Sequence, residues 1–227
     1  TGIEVAGILS EMKKFVLPND YPDMSSSLMH IYLIEAGPRL LAGMSEESSA
    51  HAEQFLREMG VNILLNKRVV DYRDHKVVLE DGTEIATRTF IWVSGVTGVT
   101  IGNLDASLIG RGGRIKVDSF NRVEGMNNVF AIGDQCIQLA DENYPNGHPQ
   151  LAQVAIQQGE LLAKNLIRME KGQEMKPFHY RNLGSMATVG RNRAVAEFSK
   201  VKMQGWFAWV MWLVVHPVSY THLTLPT

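Results

Sequence analysis

The chain has 227 residues, 45% of them hydrophobic and 20% charged, with a formal net charge of −2 at pH 7. That length and apolar content support a sizeable core in one or two domains and exclude a disordered chain, and the near-neutral balance removes the whole-molecule electrostatic case for nucleic acid. The one cysteine, Cys136, excludes an internal disulfide framework and fits a reducing compartment. From Glu160 onward basic residues outnumber acids, a balance suited to an anionic surface.

The apolar period Ile3, Ala6, Gly7, Leu9 and Met12 predicts a helix from Thr1 to about Val16, stopping before Pro18. Thr1-Gly2-Ile3-Glu4 reads as the back half of a glycine-rich dinucleotide turn, of which the last glycine, Gly2, is present. A polar loop follows, then a parallel strand from His30 to Glu35. Ser45 with Glu46 and Glu47 behind it starts a helix that runs to Met59 and ends at Gly60. Val61 to Leu65 is a further strand. A meander comes next, at about Val69 to Tyr72, Lys76 to Leu79 and Glu84 to Thr87, with a hairpin at Asp81-Gly82. A buried strand is expected from Thr89 to Val93, closing a Rossmann-type α/β half with a β crossover.

Beyond a loop-rich stretch with a short strand at Ile115 to Val117, Val129-Phe130-Ala131-Ile132-Gly133-Asp134 reads as a buried strand halting where the backbone passes close to something. A long helix is expected from about Pro149 to Glu170, then two strands within Phe178 to Phe198. The chain ends in a nearly unbroken apolar run, Gly205 to His216, with Trp206, Phe207, Trp209 and Trp212. About ten apolar residues are too few to span a bilayer, which takes about twenty. Three tryptophans preceded by Lys200 and Lys202 favour the headgroup region, with burial in a core as the rival reading.

Several residues are placed for chemistry. Glu35, ending the strand after the first helix, can accept bonds from adenosine ribose hydroxyls, which favours NADH over NADPH; an acid there also serves as an ordinary turn residue. The spacing exceeds the usual roughly twenty residues, so the loop around Pro22 reads as an insertion, and the nearby Arg39 blunts the discrimination. Glu4 sits in the first helical turn, either placed by the helix dipole or kept near the phosphates for a task of its own. Gly95, in Ser94-Gly95-Val96-Thr97, lets the backbone approach a dinucleotide or merely ends a strand. Asp134 can bond a ribitol hydroxyl of FAD and Gly133 leaves it room, while the helix from Pro149 aims its amino end at the pyrimidine edge of the flavin ring. Gln153, about one turn in, reaches the flavin or a second substrate, or is a plain polar helix position. Cys136 reads as a small packed residue more readily than a redox group.

These pieces resemble the type II NADH:quinone oxidoreductases. The most specific stretches are Ala152-Gln153-Val154-Ala155-Ile156-Gln157-Gln158-Gly159 and the aromatic Gly205 to His216, joined by the Thr1-Gly2-Ile3-Glu4 helix start, Ile34-Glu35-Ala36-Gly37-Pro38-Arg39, Ile91 to Val96 and Ala131-Ile132-Gly133-Asp134. The resemblance implies a two-dinucleotide flavoprotein fold, incomplete here, with a carboxyl-terminal amphipathic segment that associates with membranes. Its cofactors are FAD and NADH, its partners a quinone and the membrane surface, with a homodimer allowed for and no metal. Gln153 would line the quinone site and Glu4 the NADH site as catalytic residues, with Gly2, Glu35, Gly95, Gly133, Asp134 and Ala152 binding cofactor. Location at the cytoplasmic face of a bacterial inner membrane, in a respiratory chain without proton pumping, follows from the same likeness.

The expected organisation is an NAD(H)-binding part at 1–97, the carboxyl part of an FAD-binding domain at 98–177 and a membrane-associating region at 178–216. Residues 217–227 look foreign to the family. With the FAD motif and most of the NADH glycine turn absent, the chain reads as a fragment that would not hold FAD stably by itself. The alternatives are a related flavoprotein disulfide reductase or sulfide:quinone oxidoreductase, and an inactive membrane-surface fragment.

Overall fold

The computed structural model describes residues 1–23, 25–99, 101–199 and 201–221, with side chains through Val215. It divides into two compact units, Thr1–Val93 with the chain from Gly184 onward, and Ser94–Leu183. The chain from Gly184 onward belongs with Thr1–Val93 because its strands complete that unit's core.

In the first unit, helix α1 (Gly2–Glu11) buries Ile3, Ala6, Gly7 and Ser10, one face at helical spacing. Gly7 is pressed so closely on the last strand region that a Cβ there would stand 1.7 Å from the Val189 carbonyl oxygen. The helix does not stop before Pro18. Met12–Val16 form a wide π turn that leads into α2 (Leu17–Asp20). Pro18 falls in the first turn of α2, where its missing N–H leaves no bond unmade, and this is why the proline fails to end the helix.

Strands β1 (Ile31–Ile34) and β2 (Val61–Leu64) pair in parallel, Ile31 opposite Val61 and Ile34 opposite Leu64. Their crossover is α3 (Glu46–Glu58), where the side chain of the N-cap Ser45 accepts from the Ser48 N–H and Gly60, with φ of +83°, turns the chain into β2. The meander follows as β3 (Val69–Arg73), β4 (Lys76–Leu79) and β5 (Glu84–Ala86), antiparallel throughout.

The buried strand expected at 89–93 does not form. Ile91, Trp92 and Val93 are 47%, 60% and 41% exposed, and no strand among the described residues bonds to them. An apolar run becomes a strand only where a neighbouring edge satisfies its backbone. Here Phe90 instead stacks on Tyr72 of the meander, ring centroids 4.9 Å apart, and Trp92 meets Phe90 at 5.8 Å.

The chain from Gly184 forms a three-stranded antiparallel sheet in the order β10 (Val201–Gln204), β9 (Arg193–Phe198), β8 (Ser185–Gly190). One face, with Ala187, Val189 and Val195, joins Ile3, Leu40, Leu56 and Ile63 in the main core. The alternate residues Ala194 and Ala196 face the other way and seat Ala208 of α5 (Gly205–Thr221), the alternation a two-sided sheet requires. Around that buried alanine, α5 leaves Trp206, Phe207, Met211 and Val214 exposed, Phe207 at 70%. The first five residues of the stretch expected to be foreign continue α5; residues 222–227, and Lys200 before it, lie outside the described residues.

In the second unit, β6 (Ile115–Val117) and β7 (Cys136–Gln138) pair in parallel over three residues each. The strand expected to end at Gly133-Asp134 reduces to one bridge, Arg122 with Phe130. The regular strand starts after it, because Gly133, at φ of +66°, breaks the extended backbone and begins a 3₁₀ turn, Gly133–Gln135. Helix α4 (Ala152–Glu170) starts three residues later than expected, since Leu151 is still extended as N-cap.

Candidate functional site

The residues proposed for nucleotide contact fall in two groups, one in each unit. In the first unit Gly2 opens α1, and a Cβ there would stand 3.2 Å from a Val93 methyl and 3.6 Å from Leu33, so the missing side chain lets the helix start lie against the end of β1. Glu4 is half-buried in the first turn of α1. Glu35 follows β1, its backbone N–H bonded to the Leu64 carbonyl of β2, and its Oε1 accepts the Gly37 N–H at 2.7 Å. The carboxylate thus shapes the turn it stands on. Arg39 is committed elsewhere: its guanidinium donates to the carbonyls of Leu41, Ala42 and Met44, at 3.3, 2.9 and 2.8 Å. A fork tied to three carbonyls of its own loop is not poised over Glu35 to take a 2′-phosphate.

In the second unit, Gly95 has φ of +80° and nothing within 4 Å of the place a Cβ would take, an open left-handed position. Gly133 is the opposite case. A Cβ there would stand 3.3 Å from the Ala155 Cβ, and its N–H donates to Oε1 of the buried Gln158 at 2.6 Å. The glycine is therefore clasped against the second turn of α4. Asp134 is exposed beside it, and its carbonyl accepts from Gln150 Nε2 at 3.2 Å, two residues before α4 begins. Ala152 is exposed at the helix start, and Leu151 offers no side-chain cap. The turn carrying Asp134 and the amino end of α4 are brought together.

Gln153 lies on a stripe of α4 that holds an extended segment by its peptide groups. Its Oε1 accepts the Leu183 N–H at 3.1 Å. Gln157, one turn on, accepts the Arg181 N–H at 3.0 Å and donates to the Arg181 carbonyl at 2.9 Å. Asn165, two turns further, makes the same two-way bond to Lys176, at 2.9 and 2.8 Å. Spacing by fours puts these amides on one helix face.

Sequence reasoning missed three holding residues. Gln135 clamps Val99 in both directions, at 2.9 and 2.6 Å; Gln158 carries Gly133; and Arg114, buried, donates from Nε to the Cys136 carbonyl at 2.6 Å. Desolvation pulls the Arg114 guanidinium down from its ordinary pKa. Glutamines at a turn and on a helix have no distinguishing spacing, so only the QQG run on α4 hinted at them. Cys136 is buried among these groups with its thiol pushed up by desolvation, which makes it a packing residue and a poor nucleophile.

A parallel strand pair with a helical crossover, a carboxylate ending its first strand, and a second unit in which a glycine turn meets a helix start are features of the α/β dinucleotide folds. The model of the pyridine nucleotide-disulphide oxidoreductase family matches residues 1–159, and the chain belongs to that family. Among its relatives, the type II NADH:quinone oxidoreductase NdhA of Mycobacterium tuberculosis is 35% identical, over 96% of this chain and 48% of that one. The type II NADH:quinone oxidoreductase of Haemophilus influenzae is 29% identical, over 92% and 48%. The chain spans about half the length of the curated relatives it matches. By structure it is similar to NDH2 from Plasmodium falciparum in complex with NADH, with a TM-score of 0.81 and 19% identity over 99% of this chain and 60% of that one. It is also similar to the sulfide:quinone oxidoreductase of Aquifex aeolicus, at 0.71 and 15%, over 95% and 53%. At such identities the two structures establish the fold.

Proposed function

We propose that this chain serves the transfer of electrons from NADH through FAD to a quinone, in a peripheral respiratory enzyme that pumps no protons. The observation that carries the reading is the likeness to type II NADH:quinone oxidoreductases across more than nine-tenths of the chain. FAD, when bound, supplies hydride acceptance from the nicotinamide and two-electron delivery to the quinone.

The chain's own residues fit that chemistry. Glu35, with Oε1 held by Gly37, is set to accept from ribose hydroxyls of NADH, while Gly2 and Glu4 stand at the start of α1 where the nucleotide phosphates and nicotinamide arrive. The open left-handed Gly95 leaves its backbone reachable. Asp134 is exposed for the ribitol chain next to a glycine whose Cβ would crowd α4. The amino end of α4, at Ala152, would direct its dipole at a flavin held beside Asp134 and favour the negative charge that reduction leaves on it. Gln153, its oxygen taken by Leu183, is fixed in orientation for a quinone lying against that edge.

Helix α5 supplies the membrane contact in this reading. No helix among the described residues is long and apolar enough to cross a membrane. Exposed Trp206 and Phe207 beside a buried Ala208 fit a helix lying in the headgroup layer. The proposal includes the cytoplasmic face of a bacterial inner membrane and allows a homodimer. In the full-length protein loaded with flavin, NADH should bleach the flavin absorbance and a quinone should restore it; a reduced flavin that ignores quinone overturns the reading.

A further inference from the structure

Upstream of α4 the second unit carries a buried polar pair, Asp141 and His148, with Nε2 and Oδ2 3.0 Å apart. The pair closes residues 141–148 into a loop. Inside it the Asn143 N–H donates to Asp141 Oδ1 at 3.0 Å, the Tyr144 N–H to the Asp141 carbonyl at 2.9 Å and the Gly147 N–H to the Tyr144 carbonyl at 2.8 Å. The bond from His148 leads the causes that hold the Asp141 carboxyl below its ordinary range. An ionised carboxylate only accepts, so Nε2 carries the hydrogen of this bond.

Nδ1 of His148 is buried without a hydrogen-bond partner. The ring sits in a box of Tyr144, Phe178 and Tyr180, at centroid distances of 5.1, 5.2 and 5.9 Å. A buried N–H without an acceptor is costlier than a bare lone pair, which selects the tautomer with hydrogen on Nε2.

The closed loop is keyed to the strand beside it. Gly147, at φ of +86°, brings its backbone so near β7 that a Cβ would stand 2.6 Å from Ile137 Cγ1. The His148 carbonyl accepts from Arg114 Nη2 at 3.1 Å, and the same guanidinium holds the Cys136 carbonyl. Two residues on, Gln150 bonds Asp134, and α4 begins at Ala152.

We propose that Asp141 and His148 are a positioning pair: by closing the loop, with His148 as the Nε2–H tautomer, they set where the amino end of α4 stands against Gly133 and Asp134. Its bearing on catalysis rests on the reading that this helix end faces the flavin; its geometry does not. A buried polar pair adds little net stability over an apolar one of the same shape, so its contribution is to register.

The test begins on the wild-type chain, whose ring ¹⁵N spectrum should place the His148 hydrogen on Nε2; a hydrogen on Nδ1 overturns the proposal. His148→Phe fills the aromatic box but strands the carboxylate, and His148→Gln returns an N–H donor. In the first variant, hydrogen exchange of the Gly133 amide and the first turn of α4 should rise about tenfold or more, as for a buried group losing its partner, and the second should bring it back toward wild type. A change confined to residues 142–147 overturns the proposal. Should the Phe variant not fold, Asp141→Ala removes the acceptor with the ring in place, and the same amides must respond. In the flavin-loaded protein, His148→Phe should lower the flavin midpoint potential; amides that move while the potential stays fault the flavin reading and leave the pair's role standing.

Discussion

The turn after β1 and the turn before β7 are held in different ways. The first stands on a continuous apolar core, where Leu40, Leu56, Val61 and Val195 are almost wholly buried, and its own Glu35 and Arg39 finish the turn. The second has short strands and a small core around Ile115, Val117 and Val123. Side-chain amides hold it: Gln135 on Val99, Gln158 on Gly133 and Gln157 on Arg181. Apolar burial tolerates sliding, whereas a two-way amide bond fixes one register.

The largest test is Leu56→Ala, in the fully buried face of α3. It should cost about 2–5 kcal/mol, the range for a large aliphatic cut back in a core, read as a fall in the denaturant midpoint. A cost below that range would break the claim that the first unit rests on apolar packing. Next is Gln158→Leu, which keeps the volume but leaves the Gly133 N–H buried without its acceptor. About 1–3 kcal/mol should be lost, with the Gly133 amide resonance displaced; a neutral outcome would mean that the second unit is held by its core after all.

The smallest effect tests a polar bond inside the apolar unit. Glu197 on β9 accepts from the Ser45 N–H at 2.9 Å and from its hydroxyl at 2.5 Å, capping α3 from across the sheet. Burial pushes its carboxyl up, but the bonds from Ser45 and Ser48 outweigh it and hold it below the ordinary range. Its contribution is therefore full above the ordinary glutamate value and disappears as pH falls through the lowered one. Glu197→Gln should remove about 1 kcal/mol or less at neutral pH and flatten that part of the acid limb of stability; an unchanged limb would assign it to other carboxylates.

The same contrast decides what could be read in the sequence. Ser45, the period through Ala52 and Leu56, and Gly60 announce α3 because capping and periodicity are local signals, and Asp81-Gly82 announces its hairpin likewise. The 89–93 run misleads because strand formation depends on a neighbour no local pattern reveals. Gly133 is legible as a special backbone position, but the sequence points to a strand before it whereas the regular strand follows, since a positive φ can close a strand or precede one. At the site, the Gly133-Asp134 turn and the start of α4 are legible from composition at the turn. Gln135 and Arg114 are not, because a side chain bonded to a distant peptide group leaves no spacing behind, and Asp141 and His148 pair across a loop at a spacing that no regular element repeats.

The stripe of amides along α4 has a consequence for variation. Gln153, Gln157 and Asn165 grip Leu183, Arg181 and Lys176 by their peptide groups, so at those three positions these bonds do not depend on the side chain, while Phe178 and Tyr180 between them pack on Val154 and Leu161. Natural drift can rewrite those three positions freely so long as each keeps its N–H. Proline alone among the coded residues lacks one, and at Arg181 or Leu183 it would undo a bond that other replacements leave intact.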